Sequence, residues 1–509
     1  MKLIFSAFTG PGNSSLKSAW WWFLFLTVAA GIYFRFANLG GKNWFMDEAD
    51  SALRITGHTL EEIKLFLADA SEITPDDIQR FQRLDPQRGV WDTISTLLHE
   101  EPQQVPLYYV LARLCANWFG DTPSGLRAVS ALMSLLAIPG IIWLGRELWA
   151  DQRITLTALA LWAVSPFFIR YAQDARDYNL WCALTLLASA SLLHSLRTGR
   201  GWWIYGLLIT LGLYTKLLFL GVVGAHMAFV ATNRNCRTYW KQAGAAWTVS
   251  LLLLSVWIGV YTQVGGKVGS QLDWVNAPMS LYGLVLKWFW GMGLVVCDLK
   301  AIWIGIVLLP LTAWGLFSWW WSGNRQGAWL VFLLIAANAL PLVFADLIFG
   351  GHRSAIPKFL VAAWIGEILF LAWIAAPRPW LVIGLIALGV TADLVRMPQK
   401  KLWNKYHGNE LQTIATFINA SDNPVLVISP NKPVYELLTI SYMLGPHVRL
   451  TTISKALDSS RGGAIFRLIN SKNASDIAIE PGNELVAKTT RYELWRIPRT
   501  SSVDGTFSQ

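Results

Sequence analysis

Leu107–Phe119 reads LYYVLARLCANWF, and whether it crosses a bilayer decides on which side everything after it lies. As a helix, its about 13 residues rise only about 20 Å, short of a roughly 30 Å hydrocarbon core. Arg113 and Asn117 fall one turn apart on one face, the pattern of a helix lying in an interface. We read the segment as resting on the outer surface. Leu126–Leu144 then runs inward to Arg146 and Arg153, Ile154–Tyr171 runs outward to Gln173-Asp174-Ala175-Arg176, and Tyr178–Leu196 returns to Arg197 and Arg200. Upstream, Trp20–Phe36 follows a polar N-terminus bearing Lys2 and Lys17, and delivers Asp47-Glu48 to the outside. A cleaved signal peptide is the competing reading of that first segment, but no small-residue cleavage site follows it. Both acidic motifs then share one face and the arginine-bearing turns face the cytoplasm. Counting Leu107–Phe119 as a span reverses both results, against the positive-inside rule.

Composition supports this frame. Hydrophobic residues make up 54% of the 509 and charged residues 15%, too apolar for a soluble chain of this length. The 29 Trp suit interfacial belts. A net charge of +10 raises the question of nucleic acid, but many Lys and Arg lie in short loops between apolar runs, where they signal topology, so no nucleic-acid partner is expected. Cys115, Cys182, Cys236 and Cys297 lie in or beside apolar segments without metal or disulfide spacing, and read as small core residues.

Further spans follow at Trp202–Tyr214, Leu217–Ala231, Ala243–Tyr261, Ile302–Trp321, Trp329–Phe349, Phe359–Ala376 and Leu381–Val395, with a glycine-rich loop after Tyr261 and an interfacial stretch at Leu281–Val296. The expected fold is a polytopic all-α membrane protein of about 11 spans with a small C-terminal α/β domain outside the cytoplasm. Residues 1–399 form the membrane domain, with a first outer loop at about 37–125, and residues 400–509 the α/β domain. That loop carries an amphipathic pattern over Ala52, Ile55, Leu60, Ile63 and Leu67, broken at Pro75 and Pro86. In the tail, Val425–Ser429 and Val448–Ile453 read as strands, Pro433–Met443 as a helix, and Glu484–Ile497 as a hairpin around Thr489-Thr490-Arg491. One observation resists the scheme. Arg396, Lys400, Lys401 and Lys405 fall on the outer face, which only a long translocated domain tolerates.

Carboxylates at membrane edges are costly and mark sites. Asp47 and Glu48 taken alone fit a helix cap, but Asp174, Arg176 and Asp177 crowd another span exit on the same face. Lys216, His352, Arg353 and Lys358 complete the outer turns. One such cation is an ordinary snorkelling anchor; several around one cleft suit a phosphate at headgroup depth. A carboxylate base beside a cationic clamp suits group transfer from a lipid phosphate, with the cations taking up charge on the leaving group.

The ordered motifs resemble the membrane-integral GT-C glycosyltransferases, in the branch of dolichyl-phosphate-mannose protein mannosyltransferases and aminoarabinose-lipid A transferases (glycosyltransferase family 39-like). The matching stretches are Trp44-Phe-Met-Asp-Glu-Ala49, Pro106-Leu-Tyr-Tyr109, Leu126-Arg-Ala-Val-Ser-Ala131, Ser165 through Tyr178, and Gly350-Gly-His-Arg-Ser354, in family order over about residues 20–395. The resemblance implies a catalytic acidic residue at Asp47 with Glu48 beside it, a second motif at Asp174, Arg176 and Tyr178, and inverting transfer from a polyprenyl-phosphate sugar on the outer face. Met46 and Gln104 stand where the family often has histidines, which removes those side chains as metal or acceptor contacts and leaves the candidate base. Asp174 replaces a commoner Glu.

The expectation is therefore a multi-pass inner-membrane glycosyltransferase, moving a hexosyl or pentosyl unit from a polyprenyl-phosphate donor to a glycan, lipid or protein acceptor outside the cytoplasm. Asp47 is the base, and Glu48 a helper that orients it or the acceptor. Asp174 positions Arg176, and Arg176, Tyr178, Lys216, His352, Arg353 and Lys358 hold the donor phosphate. No cofactor is required, with room left for a divalent metal; membrane lipids are the surrounding partners. A lipid or solute transporter and a non-catalytic scaffold of the same fold are the alternatives.

Overall fold

The computed structural model describes residues 14–69, 72–271, 273–428, 434–451, 463–470 and 482–498. Lys2, Ser429, Pro433, Thr452 and Ile453, which fall within expected elements, lie outside them. Among the described residues, seven helices are long and apolar enough to cross a bilayer, and an eighth crossing forms if Gln152–Ala163 and Pro166–Ala172 count as one bent span. Trp202–Leu213, Leu217–Thr232 and Val361–Ala375 are shorter apolar helices. Each expected span falls on one of these segments. Leu107–Phe119 is a helix that belongs to neither group. It buries Tyr108, Tyr109, Ala112 and Ala116 and exposes Leu114 and Trp118, the two-faced character that its sequence shows. The glycine-rich stretch after Tyr261 is not a loop, because helix Trp240–Gln271 runs on through it.

The bent span is what aims the second acidic motif. Pro166 has no N–H to donate and forces Ser165 out of helical geometry, so the helix stops at Ala163 and restarts at a 55° angle. This break strands carbonyls in an apolar setting, where unmet polar groups are expensive. Arg35 of the first span meets two of them, with Nη1 donating to Ala163 O at 2.5 Å and Nη2 to Trp162 O at 3.2 Å. The approach requires Gly31: a Cβ there would lie 2.2 Å from Ala163 O. Below the break, Gln173 donates through Nε2 to Phe34 O (2.7 Å) and Ala37 O (2.9 Å). The exit of the first span is thereby tied to the turn that carries Asp174.

Val361–Ala375 is buried on nearly all sides, so it shows no amphipathic stripe, as befits a central helix of the bundle. It begins just after Lys358. In the loop that follows the first span the single expected amphipathic pattern is two helices, Met46–Thr56 and Leu60–Asp69. Gly57 separates them at φ 80°, its N–H and that of His58 closing the first helix on Arg54 O and Leu53 O. Pro75 does not break a helix but opens one, behind a Thr74–Asp77 capping box.

Among the described residues the C-terminal region carries five strands in the order β2-β1-β3-β5-β4. They are β1 (Val425–Val427), β2 (Arg449–Thr451), β3 (Ile465–Asn470), β4 (Glu484–Lys488) and β5 (Tyr492–Ile497). The expected hairpin is β4–β5; β3 and helix Tyr406–Asn419 escaped the sequence reading. The C-terminal region rests on the loop that follows the first span, through strand β2 and helix Val434–Ser441. Ile73 bridges to Leu450, Gln79 donates to Ser441 O (2.9 Å), Gln82 donates to Leu438 O (3.0 Å), and Trp44 packs on Tyr442.

Candidate active site

Asp47 and Glu48 occupy the first turn of Met46–Thr56, where the helix dipole favours negative charge. Neighbours on a helix point about 100° apart, and that rotation gives the two carboxylates different fates. Glu48 is sealed, with no exposed side-chain surface. Arg127 grips it through Nε (2.7 Å) and Nη2 (2.8 Å), Lys405 Nζ donates at 2.6 Å, and Ala175 N at 3.2 Å. The same Arg127 ties the preceding loop by its carbonyls, Leu39 O at 2.6 Å, Lys42 O at 3.0 Å and Asn43 O at 2.9 Å. Burial works against the Glu48 anion, but Arg127 and Lys405 outweigh it and hold its pKa below the ordinary value.

Lys405 Nζ also donates to Asp174 Oδ1 at 2.5 Å, while Asn404 Nδ2 donates to Oδ2 at 2.9 Å. The two acidic motifs thus meet on one lysine. This corrects two expectations. The Asp174 carboxylate does not pair with the Arg176 guanidinium, their link being a backbone hydrogen bond from Arg176 N to Asp174 O (2.7 Å), and Glu48 has no free face to orient an acceptor, because Lys405 and Arg127 occupy it.

Asp47 is different: 30% of its side chain is exposed. Its carboxylate pairs with Lys358, whose ammonium also lies 5.8 Å from the Trp274 ring centroid. Arg176 reaches the same turn from below, Nη1 donating to Asp47 O (2.9 Å) and Ser51 Oγ (2.8 Å), with Asp50 Oδ2 at 3.4 Å. Burial alone would raise the Asp47 pKa, but Lys358 and then Arg176 carry it well below the usual carboxylate range. Lys216 pairs with Asp177 at 3.0 Å and stands over the Tyr178 ring at 5.3 Å, with Tyr171 edge-on to Tyr178.

His352 and Arg353 are not drawn into this cluster. Arg353 is engaged by Asp346 (3.0 Å), Gly350 O (2.7 Å) and Asn276, and His352 shares a hydrogen bond with Ala277 O at 3.0 Å. They fasten the Asp273–Asn276 turn, whose Trp274 touches both His352 and Lys358. Among the described residues no group of three or more His, Cys, Asp or Glu lies where it could hold a metal ion. The carboxylates here already face lysine and arginine, so no step is assigned to a metal.

The network continues from Asp50 to Arg54, whose fully buried guanidinium also meets Glu100, Glu101 and Tyr435, the last at 3.0 Å. Burial, helped by Asp50, pushes Glu101 from the ordinary 4.5 up to about 8. The folded chain therefore keeps a proton that the unfolded chain releases near 4.5. The stability this contributes is complete below that pH and drains away as pH rises to the folded value. Thermal unfolding at stepped pH should show stability falling across this window, and Glu101→Gln should flatten the fall; an unchanged slope in the variant would remove Glu101 as its source.

Sequence reasoning missed Lys405, Arg127, Asn404 and Asp50 as site residues. A signal for Lys405 existed: it was one of the basic residues that sat awkwardly on the outer face.

Residues 101–261 match the family model described as dolichyl-phosphate-mannose-protein mannosyltransferase. The fold is similar to ArnT from Cupriavidus metallidurans in a crystal structure bound to undecaprenyl phosphate, with TM-score 0.53 and 12% identity over 95% of this chain and 99% of that one. The apo form of the same protein gives TM-score 0.50 and 12% identity over 94% and 98%. The Archaeoglobus fulgidus oligosaccharyltransferase, in a complex with zinc and sulfate, is more distant, at TM-score 0.45 and 12% identity over 83% and 61%. No curated protein matches the sequence.

Proposed function

We propose that this chain, a multi-pass membrane protein with the GT-C glycosyltransferase fold, is itself a glycosyltransferase that takes a sugar from a polyprenyl-phosphate donor. The observation that carries the reading is the contrast within one dipeptide. Both are ionised, but Glu48 is sealed among its cationic partners, while Asp47 keeps 30% of its side chain exposed beside Lys358 and Arg176. Such a pairing of one reachable carboxylate with Lys358 and Arg176 fits a base next to an anion clamp. Support for the lipid phosphate comes from the partial family match and from the whole-chain likeness to a protein crystallised with undecaprenyl phosphate.

In this reading the acceptor hydroxyl attacks the anomeric carbon from the face opposite the phosphate. The new C–O bond forms as the bond to the phosphate oxygen breaks, and that oxygen leaves with the electron pair as polyprenyl phosphate. Asp47 takes the acceptor proton. A single displacement inverts the anomeric centre. Lys358 links the two halves of the step: an arriving phosphate competes with Asp47 for its ammonium, which raises the basicity of Asp47 when the donor is in place. Lys216 and Arg176 add positive charge, and Tyr178 and Tyr171 wall the approach.

The positive-inside distribution of Lys and Arg favours an extracytoplasmic Asp47 and tail in the inner membrane. The pairing of Lys405 with Glu48 and Asp174, and of Arg396 with Asp298 (3.4 Å), gives two of the tail-junction cations an internal partner, easing their conflict with that rule. Mass spectrometry of membrane lipids and envelope glycans, with and without the chain, tests the activity. Loss of one sugar from an acceptor together with a build-up of sugar-linked polyprenyl phosphate is expected. Identical profiles would overturn the reading.

A further inference from the structure

The helices that lead to the Asp47 cluster close, at their other ends, around a concavity. Gln152–Ala163 starts there and leads through Pro166–Ala172 to Asp174, while Val361–Ala375 starts beside Lys358 and finishes there. The groove is therefore at the opposite end of the bundle from Asp47. Its volume is about 490 Å³, within the range of about 300–1,000 Å³ common for small-ligand sites. Asp151, Arg153, Trp314, Trp373, Ala376 and Arg378 are among its lining residues.

Charge in the groove is unbalanced. Asp151 is satisfied by Arg153, which donates through Nε to both carboxylate oxygens (3.2 and 3.0 Å) and through its backbone N at 2.9 Å. Arg378 lies 4.5 Å from the Trp314 ring centroid and donates from Nη1 to Ile374 O at 2.6 Å. Among the described residues no carboxylate pairs with Arg378. These groups leave one positive charge held against an aromatic wall. Trp373 gives its indole N–H to Ser318 Oγ at 3.2 Å, so its polar edge is met within the protein. Helix Ala301–Trp321, which supplies Trp314, exposes Trp303, Phe317 and Trp321, an apolar strip that a bilayer would cover. The groove lies where that strip meets charged helix turns, the depth at which tryptophan and arginine gather.

We propose that this groove binds the headgroup of an anionic glycerophospholipid, with Arg378 on the phosphate and Trp314 and Trp373 against the glycerol and first acyl carbons. A guanidinium suits phosphate by its planar fork of donors, and basic pockets between spans are a general means of holding anionic lipid heads. Free phosphate would meet the cation but gain nothing from the aromatic walls. Neither the argument nor its test depends on the role of Asp47.

The full chain, purified in a neutral detergent, is titrated with dioleoyl-phosphatidylglycerol, with dioleoyl-phosphatidylcholine and with inorganic phosphate, read by native mass spectrometry and thermal unfolding. Phosphatidylglycerol should form a discrete adduct and raise the melting temperature, and phosphatidylcholine with the same chains should bind about tenfold more weakly. Arg378→Gln should lower phosphatidylglycerol affinity by about tenfold. Ala376→Phe, which fills the groove and keeps both arginines, should do the same and decides the matter if Arg378→Gln does not fold. Equal binding of the two lipids, displacement by equimolar inorganic phosphate, or unchanged affinity in Ala376→Phe would overturn the proposal.

Discussion

Asp47→Asn should abolish most transfer while leaving the protein folded, with a rate about 10²–10⁴-fold below the parent, the usual worth of a positioned general base. The substitution keeps shape and removes only the charge that accepts the proton. Little of the fold depends on that carboxylate. Its side-chain partner is Lys358, itself partly exposed, so the pair carries the modest weight of a solvent-reached salt bridge. Melting temperature and elution profile should therefore stay near those of the parent as donor accumulates in the membrane. Glu48→Gln makes the informative contrast. It weakens a sealed contact with Arg127 and Lys405, so activity and stability should fall together. An Asp47→Asn protein that transfers sugar at the parental rate would remove the base assignment.

Lys405→Met should be the most destabilising single change in the acidic cluster, at about 3–5 kcal/mol, the typical cost of removing one member of a buried ion pair. Its ammonium has no exposed surface and serves two carboxylates at once. Without it, Glu48 retains Arg127, but Asp174 is left with Asn404 as its side-chain hydrogen-bond partner. The fitting check is a double-mutant cycle by thermal or denaturant unfolding. Lys405→Met and Asp174→Asn together should cost clearly less than their separate effects summed, because the second change removes the charge stranded by the first. Additive losses would show that Lys405 acts by packing alone. Lys405→Arg is not a conservative control, since a guanidinium has no room where the ammonium is enclosed.

The sequence was most readable where one physical signal dominated. Apolar run length located the helices of the bundle, and the two-faced pattern of Leu107–Phe119 set that helix apart from them. Asp47 and Asp174 stood out because carboxylates are rare at apolar borders. What stayed hidden was pairing. Nothing within Asp174-Ala-Arg176 reveals that Asp174 turns away from its own neighbour toward Lys405, 231 residues later. Arg127 lies inside a recognised motif, yet its grip on Glu48 depends on the crossing of three segments. Arg353 misled for the opposite reason, as a cation at the expected face whose donors go to Asp346 and a turn. Strand β3 escaped because its partners, β1 and β5, are distant in the chain.

The lysine that joins the two acidic motifs also sets an order of events during synthesis. It is encoded after every hydrophobic segment, so a nascent chain can place its whole helical bundle in the bilayer with Asp174 still lacking its cation. Only when the ribosome has made residue 405 and this stretch has docked does the Asp47-Glu48 dipeptide gain its final support. A chain that stops before that point would insert with an unfinished centre, so maturation waits on a segment made after the bundle.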